Sequence, residues 1–203
     1  MAQEPLEIWK RVVPDASAIA LSDVVFRASS EAYELCKKEY PGYQPLSHIV
    51  GWNRFTKLQF KLLDFGEVDP VLKSKQKNHS NHLPFTQLHT PELQITTASV
   101  DSDCSIPQLS LFRKQEQDQQ LKFFDDRDNI LICHLCIRVE GDLSVPKSVG
   151  INFPDGNGGY LTDQYIDLTK LKRAAPILPV EKVADNPMPR ERSREGNIAR
   201  DHG

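Results

Sequence analysis

The fold of this chain is decided by residues 130–139, which read ILICHLCIRV. One alternating face is formed by Leu131, Cys133, Leu135, Ile137 and Val139, and the other by Ile132, His134, Cys136 and Arg138. A period of two with apolar residues on both faces is typical of a strand that is covered on both sides. We therefore predict a central or nearly central β-strand here.

The residues before position 90 follow a helical period instead. In residues 15–40 the apolar positions are three and four apart: Ala18, Leu21, Val25, Ala28, Ala32 and Leu35. This spacing predicts one amphipathic helix, which Pro41 and Gly42 end. Residues 47–63 predict a second helix, although Leu58, Phe60 and Leu62 also alternate and leave a strand open at its end.

Short polar connections indicate how the later strands are joined. Leu93, Ile95 and Thr97 alternate with polar residues, and Leu109 and Leu111 do the same, so both segments are predicted strands. Turns are predicted at residues 125–129 and 154–159, and a loop at residues 73–82. The sequence thus predicts an α+β fold, with N-terminal helices packed on a C-terminal, mainly antiparallel β-sheet.

The composition of the sequence predicts one folded domain, residues 1–171, followed by a tail, residues 172–203. The tail is rich in proline and charge and poor in large apolar residues, so we expect it to be disordered. A net charge of -3 disfavours both a strongly basic nucleic-acid binder and an acidic solvating chain. No stretch suits a signal peptide or a membrane span, which favours a cytoplasmic protein with no membrane partner.

The pattern C-x-x-C at Cys133 and Cys136 is the first candidate metal or redox motif. Zinc needs convergent ligands, whereas residues three apart in a strand point to opposite faces. We therefore predict two buried structural cysteines that do not bind zinc together.

A histidine cluster, His79, His82 and His89, offers the alternative of a metal-dependent hydrolase. Three imidazoles can hold zinc and leave a position for water. The spacing matches no specific metal motif, and solvated or hydrogen-bonded histidines are the favoured interpretation. We expect no cofactor.

Six basic residues form the best candidate nucleic-acid surface: Arg54, Lys57, Lys61, Lys73, Lys75 and Lys77. Such cations can contact phosphates, with Trp52 or Phe55 available for stacking on bases. Asp64, Glu67 and Asp69 are close in sequence and offset this charge, so a solvated face is the favoured interpretation.

Two strand-like stretches, Asn129-Ile130-Leu131-Ile132 and Gly150-Ile151-Asn152-Phe153-Pro154, follow N-terminal helices. In this arrangement the chain resembles uncharacterised bacterial accessory proteins, a resemblance that implies no activity. With no catalytic signature in the sequence, we predict a non-enzymatic cytosolic interaction or regulatory protein that binds a protein partner. The nucleic-acid-associated protein and the hydrolase are the alternatives.

Overall fold

The computed structural model describes residues 4–41, 47–78, 84–100, 111–125, 130–139 and 145–171. The described helices are α1 (Pro5–Val12), α2 (Asp15–Glu39), α3 (Ser47–Val68) and α4 (Leu111–Asp125). The strands are β1 (Lys73–Asn78), β2 (Pro84–His89), β3 (Leu93–Val100), β4 (Leu131–Arg138), β5 (Ser148–Pro154) and β6 (Tyr160–Asp167). The predicted α+β fold class is confirmed.

The six strands form one sheet in sequence order, from β1 at one edge to β6 at the other. Four of the five neighbouring pairs are antiparallel, while β3 and β4 are parallel. Parallel neighbours need a long crossover, and α4 lies in the connection between these two strands. The predicted central strand is confirmed as β4, whereas the crossover helix α4 is not among the predicted elements.

The main core lies between the sheet and the helices α1, α2 and α3. The amphipathic stripe predicted for α2 is confirmed, since Leu21, Val25 and Ala28 are fully buried. They pack in one cluster with apolar side chains of the inner strands, including Leu135 and Ile151. Burial of each large aliphatic side chain stabilises the fold by roughly 1.5–3 kcal/mol.

The strand register assigns every sheet residue to one of two faces. The α3 face includes Ser74, Thr86, Ile95, Cys133 and Ile151, and the α4 face includes Lys75, Gln87, Thr96, His134 and Asn152. The first face is largely apolar and lies beneath α1, α2 and α3. The second is largely polar, and α4 covers part of it.

Four local predictions need correction or completion. Residues 73–78 of the predicted 73–82 loop form β1, a polar edge strand whose backbone pairs with β2. Leu111 begins helix α4 rather than belonging to a strand, and Leu109 is outside the described residues. The second helix continues through Val68, so the strand alternative at its end was wrong. The predicted disordered tail, 172–203, is also outside the described residues.

Candidate functional site

An apolar groove lies between α3 and the β1–β2 edge of the sheet, with a cavity of about 150 Å³. The walls include Trp52, Phe55, Phe60 and Leu63 of α3, and Thr86 lies on the strand side. Trp52 is 55% exposed and Phe60 is 62% exposed. Neighbouring exposed apolar groups beside a concave pocket are typical of surfaces that bind another molecule.

The groove exists because α3 is apolar on more than one side. Leu58 and Leu62 are 2% and 1% exposed and join the main core. Trp52 and Phe60 lie elsewhere around the helix, since each residue is rotated by about 100° from the one before it. The fold therefore covers one apolar side of α3 and leaves the other open.

Gln59 ties this helix to the sheet and forms a polar part of the groove lining. Its side-chain oxygen accepts from the backbone N–H of Thr86, and its backbone carbonyl accepts from the Thr86 hydroxyl at 2.7 Å. Its amide donates to the Thr97 hydroxyl at 3.2 Å. These bonds satisfy groups that would be costly to bury alone, and they hold the groove in one shape.

The six predicted basic residues fall into two groups. Among those on α3, Lys61 is 2.7 Å from Glu31 of α2, and burial lowers the pKa of Arg54. Lys57 is half-buried on the same helix. The structure thus places part of the α3 group against α2 rather than on an open phosphate-binding surface.

The other group lies along β1, on the α4 face of the sheet. Lys73 and Lys75 are exposed, whereas Lys77 is half-buried. The ammonium of Lys73 donates to the backbone carbonyl of Asp69 at 2.7 Å. These lysines project on the face of β1 opposite to the one that α3 covers, and whether both groups bind nucleic acid together stays a prediction.

Of the predicted metal ligands, the structure describes only His89. It ends β2 opposite Lys73, and its Nδ1 is buried without a hydrogen-bond partner in the described part of the chain. His79 and His82 are outside the described residues. No group of three His, Cys, Asp or Glu side chains in the described ranges is arranged to hold a metal ion. The hydrolase hypothesis stays a prediction.

The C-x-x-C cysteines point to opposite faces of β4, as the strand geometry predicts. Cys133 lies in the main core, where burial raises the pKa of its thiol. Cys136 lies on the α4 face beside Ala98, and its thiol donates to the Tyr160 hydroxyl at 3.5 Å. The two sulfurs are therefore not positioned as a chelating pair.

A buried polar cluster on the α4 face was missed by the sequence predictions. Nε2 of His134 lies 3.2 Å from Glu116, and Nδ1 lies 2.8 Å from the Tyr160 hydroxyl. The other carboxyl oxygen of Glu116 accepts from the Thr96 hydroxyl at 2.7 Å. The His134 and Glu116 side chains are only 1% and 2% exposed.

This cluster joins α4 to three strands, β3, β4 and β6. Each ring nitrogen of His134 and each carboxyl oxygen of Glu116 has a partner, so burial leaves neither side chain unsatisfied. A histidine in the middle of an apolar strand was the available signal, because it requires a buried partner. The sequence did not reveal that Glu116 is that partner.

Comparisons with known proteins add no assignment to this geometry. No family model, curated protein or solved structure matches the chain. Within the described ranges, no helix has the length and apolar character needed to cross a membrane.

Proposed function

We propose that this chain is a non-enzymatic cytosolic interaction protein that binds a segment of another protein in the groove between α3 and β1–β2. The observation that carries the proposal is the pair of accessible aromatic side chains, Trp52 and Phe60, beside a cavity. Aromatic residues in a desolvated pocket dominate the energy of many protein interfaces.

The groove suits binding because it is largely formed before a ligand arrives. Gln59 fixes α3 to two strands, so little ordering of the helix accompanies binding. Removing an aromatic side chain from water contributes roughly 25 cal/mol per Å² of buried apolar area. A partner that covers both aromatic side chains therefore gains favourable free energy that offsets part of the cost of association.

The buried Glu116–His134 pair fits a structural role better than a binding role. Both side chains are almost fully buried and point toward each other beneath α4. A ligand would have to displace that helix to reach them. We propose that the pair stabilises the sheet against α4 while the groove contacts the partner.

A comparison of two serine variants tests the proposed function. Phe60→Ser removes a groove aromatic, whereas Val68→Ser changes a residue on the same helix that is 81% exposed and does not line the groove. Each full chain is purified from its native cells after mild cross-linking, and bound proteins are quantified by mass spectrometry. We expect one partner to be lost with Phe60→Ser and retained with Val68→Ser. Equal recovery of every partner by both variants would contradict the proposal.

The nucleic-acid hypothesis is supported by a different observation, the three lysines on one face of β1. Binding through phosphates would weaken steeply as salt increases. Neutralising Lys73, Lys75 and Lys77 together would then reduce binding and flatten that salt dependence. Such a result at physiological ionic strength, with the fold intact, would favour the nucleic-acid alternative.

A further inference from the structure

We infer that the partner segment adds a strand to the β1 edge of the sheet, and that this segment alternates acidic and apolar side chains. The inference rests on the proposed function and deepens it, because it specifies the chemistry of the segment. The groove alone would accept either an apolar helix or an apolar strand. The lysines of β1 and the position of β1 at the edge of the sheet favour a strand.

β1 lies at the end of the sheet. Its neighbour in the described sheet is β2, and the register pairs all of β1, from Lys73 to Asn78, with that strand. In an antiparallel pair, alternate backbone N–H and C=O groups point away from the partner. The outer side of β1 therefore offers the hydrogen-bonding groups that strand addition uses.

The side chains of β1 alternate between the two faces of the sheet. Lys75 and Lys77 project on the α4 face, while Ser74 and Gln76 project on the α3 face, and Gln76 also lines the groove. An added strand shares the pleat of its neighbour, so its side chains alternate between the same two faces. Its apolar residues would then face the groove side, and its acidic residues would lie beside the lysines.

Two positive charges on β1, those of Lys75 and Lys77, favour an acidic partner. Lys75 and Lys77 make no ion pair with any described residue. Burial and the charge of Lys75 lower the pKa of Lys77, whereas Glu116 acts in the opposite direction. The two ammonium groups therefore repel each other, and a carboxylate placed beside them would relieve that repulsion. Lys73 contributes less, since its ammonium is already bonded to a carbonyl.

The competing occupant is a second copy of this chain. Two β1 edges would bring lysines against lysines, which disfavours their pairing. The opposite edge, β6, carries Asp167 on the α4 face, but Asp167 already accepts from the Thr169 backbone and lies 3.1 Å from Lys170. A separate acidic partner fits better.

A displayed library of short random peptides tests this inference on the full chain. Selection is run in parallel on the wild-type protein, on a Lys75→Glu, Lys77→Glu variant and on Phe60→Ser. We expect the wild-type to enrich peptides with acidic and apolar residues at alternate positions. Those peptides should bind the charge-reversed variant at least about tenfold more weakly in fluorescence anisotropy.

The outcomes separate the inference from the proposed function. Groove-dependent peptides with apolar residues three and four apart and no acidic preference would overturn strand addition and retain groove binding. If wild-type and Phe60→Ser enrich the same peptides or none, both proposals are wrong. Circular dichroism checks the fold, and Lys75→Gln, Lys77→Gln replaces the charge reversal if that variant unfolds.

Two further measurements exclude the other occupants. A selected peptide has two alternate sets of backbone amides, and N-methylation of one set should abolish binding while N-methylation of the other should not. The reason is that an added strand bonds to its neighbour through every second N–H group. Unchanged binding after N-methylation of either set would overturn strand addition. Displacement of the peptide by a single-stranded oligonucleotide would assign β1 to nucleic acid instead. Self-association in sedimentation equilibrium that is lost in the Lys75→Glu, Lys77→Glu variant would assign β1 to a second copy of the chain.

Discussion

Gly66 of α3 lies directly against Ser74 of β1, with no room for a side chain between them. A Cβ at position 66 would be 2.3 Å from the Ser74 backbone nitrogen and 2.4 Å from its Cβ. The Ser74 hydroxyl also donates to the Leu63 carbonyl at 3.0 Å. This close approach sets the distance between the helix and the edge strand, and it therefore sets the width of the groove.

Gly66→Ala should destabilise the protein by about 1–3 kcal/mol, because a backbone atom must move to admit the methyl group. Gly51→Ala is the matched control on the same helix, since a Cβ there meets nothing within 4 Å. This control should gain up to about 1 kcal/mol from helix propensity. Urea denaturation measures both changes. Equal effects of the two substitutions would show that the Gly66–Ser74 contact has no importance for stability.

Glu116→Ala should cost about 1–3 kcal/mol, because it removes the hydrogen-bond partner of two buried groups, the His134 ring and the Thr96 hydroxyl. Glu116→Gln keeps an acceptor near the ring and should cost less. Gln115→Ala changes an exposed neighbour on the same helix and should stay within about 0.5 kcal/mol of wild-type. If denaturation curves give the Glu116→Ala and Gln115→Ala variants the same free energy of unfolding, the structural role of the cluster is contradicted.

Asp167 should contribute stability that disappears in acid. Burial by itself raises the pKa of this carboxyl, but hydrogen bonds from Thr169 and Lys170 outweigh that effect and lower it below the ordinary value. The stabilisation is present above the unfolded pKa of about 4 and is lost as pH falls through the folded pKa.

Asp167→Asn should therefore be less stable than wild-type at neutral pH, by about 0.5 kcal/mol, because asparagine keeps the cap but loses the charge beside Lys170, and the difference should shrink near pH 3. Urea denaturation at the two pH values measures it. Asp163→Asn, an exposed change on the same strand, controls for the loss of one charge. A difference that is constant with pH would refute the assigned hydrogen bonds.

Cys133 should resist alkylation in the folded protein, because its thiol is fully buried and burial raises its pKa well above the ordinary value. The reactive species is the thiolate, which this environment disfavours. Iodoacetamide treatment at pH 8, followed by peptide mass spectrometry, should label Cys133 only in denaturant. Labelling at the same rate with and without denaturant would show that β4 is not a core strand.

The sequence predicted the elements whose apolar pattern determines their structure and missed those whose pattern is polar. Residues 130–139 and 15–40 each bury a regular apolar stripe, and both were identified correctly. β1 has no large apolar residue, so only its backbone pairing reveals it as a strand. α4 buries the polar residues Glu116 and Gln120, so its buried side shows no regular apolar stripe in the sequence.

The groove was only partly predictable for a related reason. Trp52 and Phe55 were recognised as apolar residues of the second helix and as possible stacking surfaces. A helical period does not show which apolar side α2 and the sheet will cover. The exposure of Phe60 depends on that packing, and so it could be found only in the folded structure.

Site-specific photo-crosslinking tests the groove most directly. A photoreactive phenylalanine analogue replaces Phe60 in the full chain in its native cells, and the same analogue at Val68 is the control, a site that is more exposed but outside the groove. We predict a covalent adduct with one protein from position 60, none from position 68, and loss of the adduct when Trp52→Ser is added. No adduct from position 60, or equal adducts from both positions, would contradict a partner-binding groove.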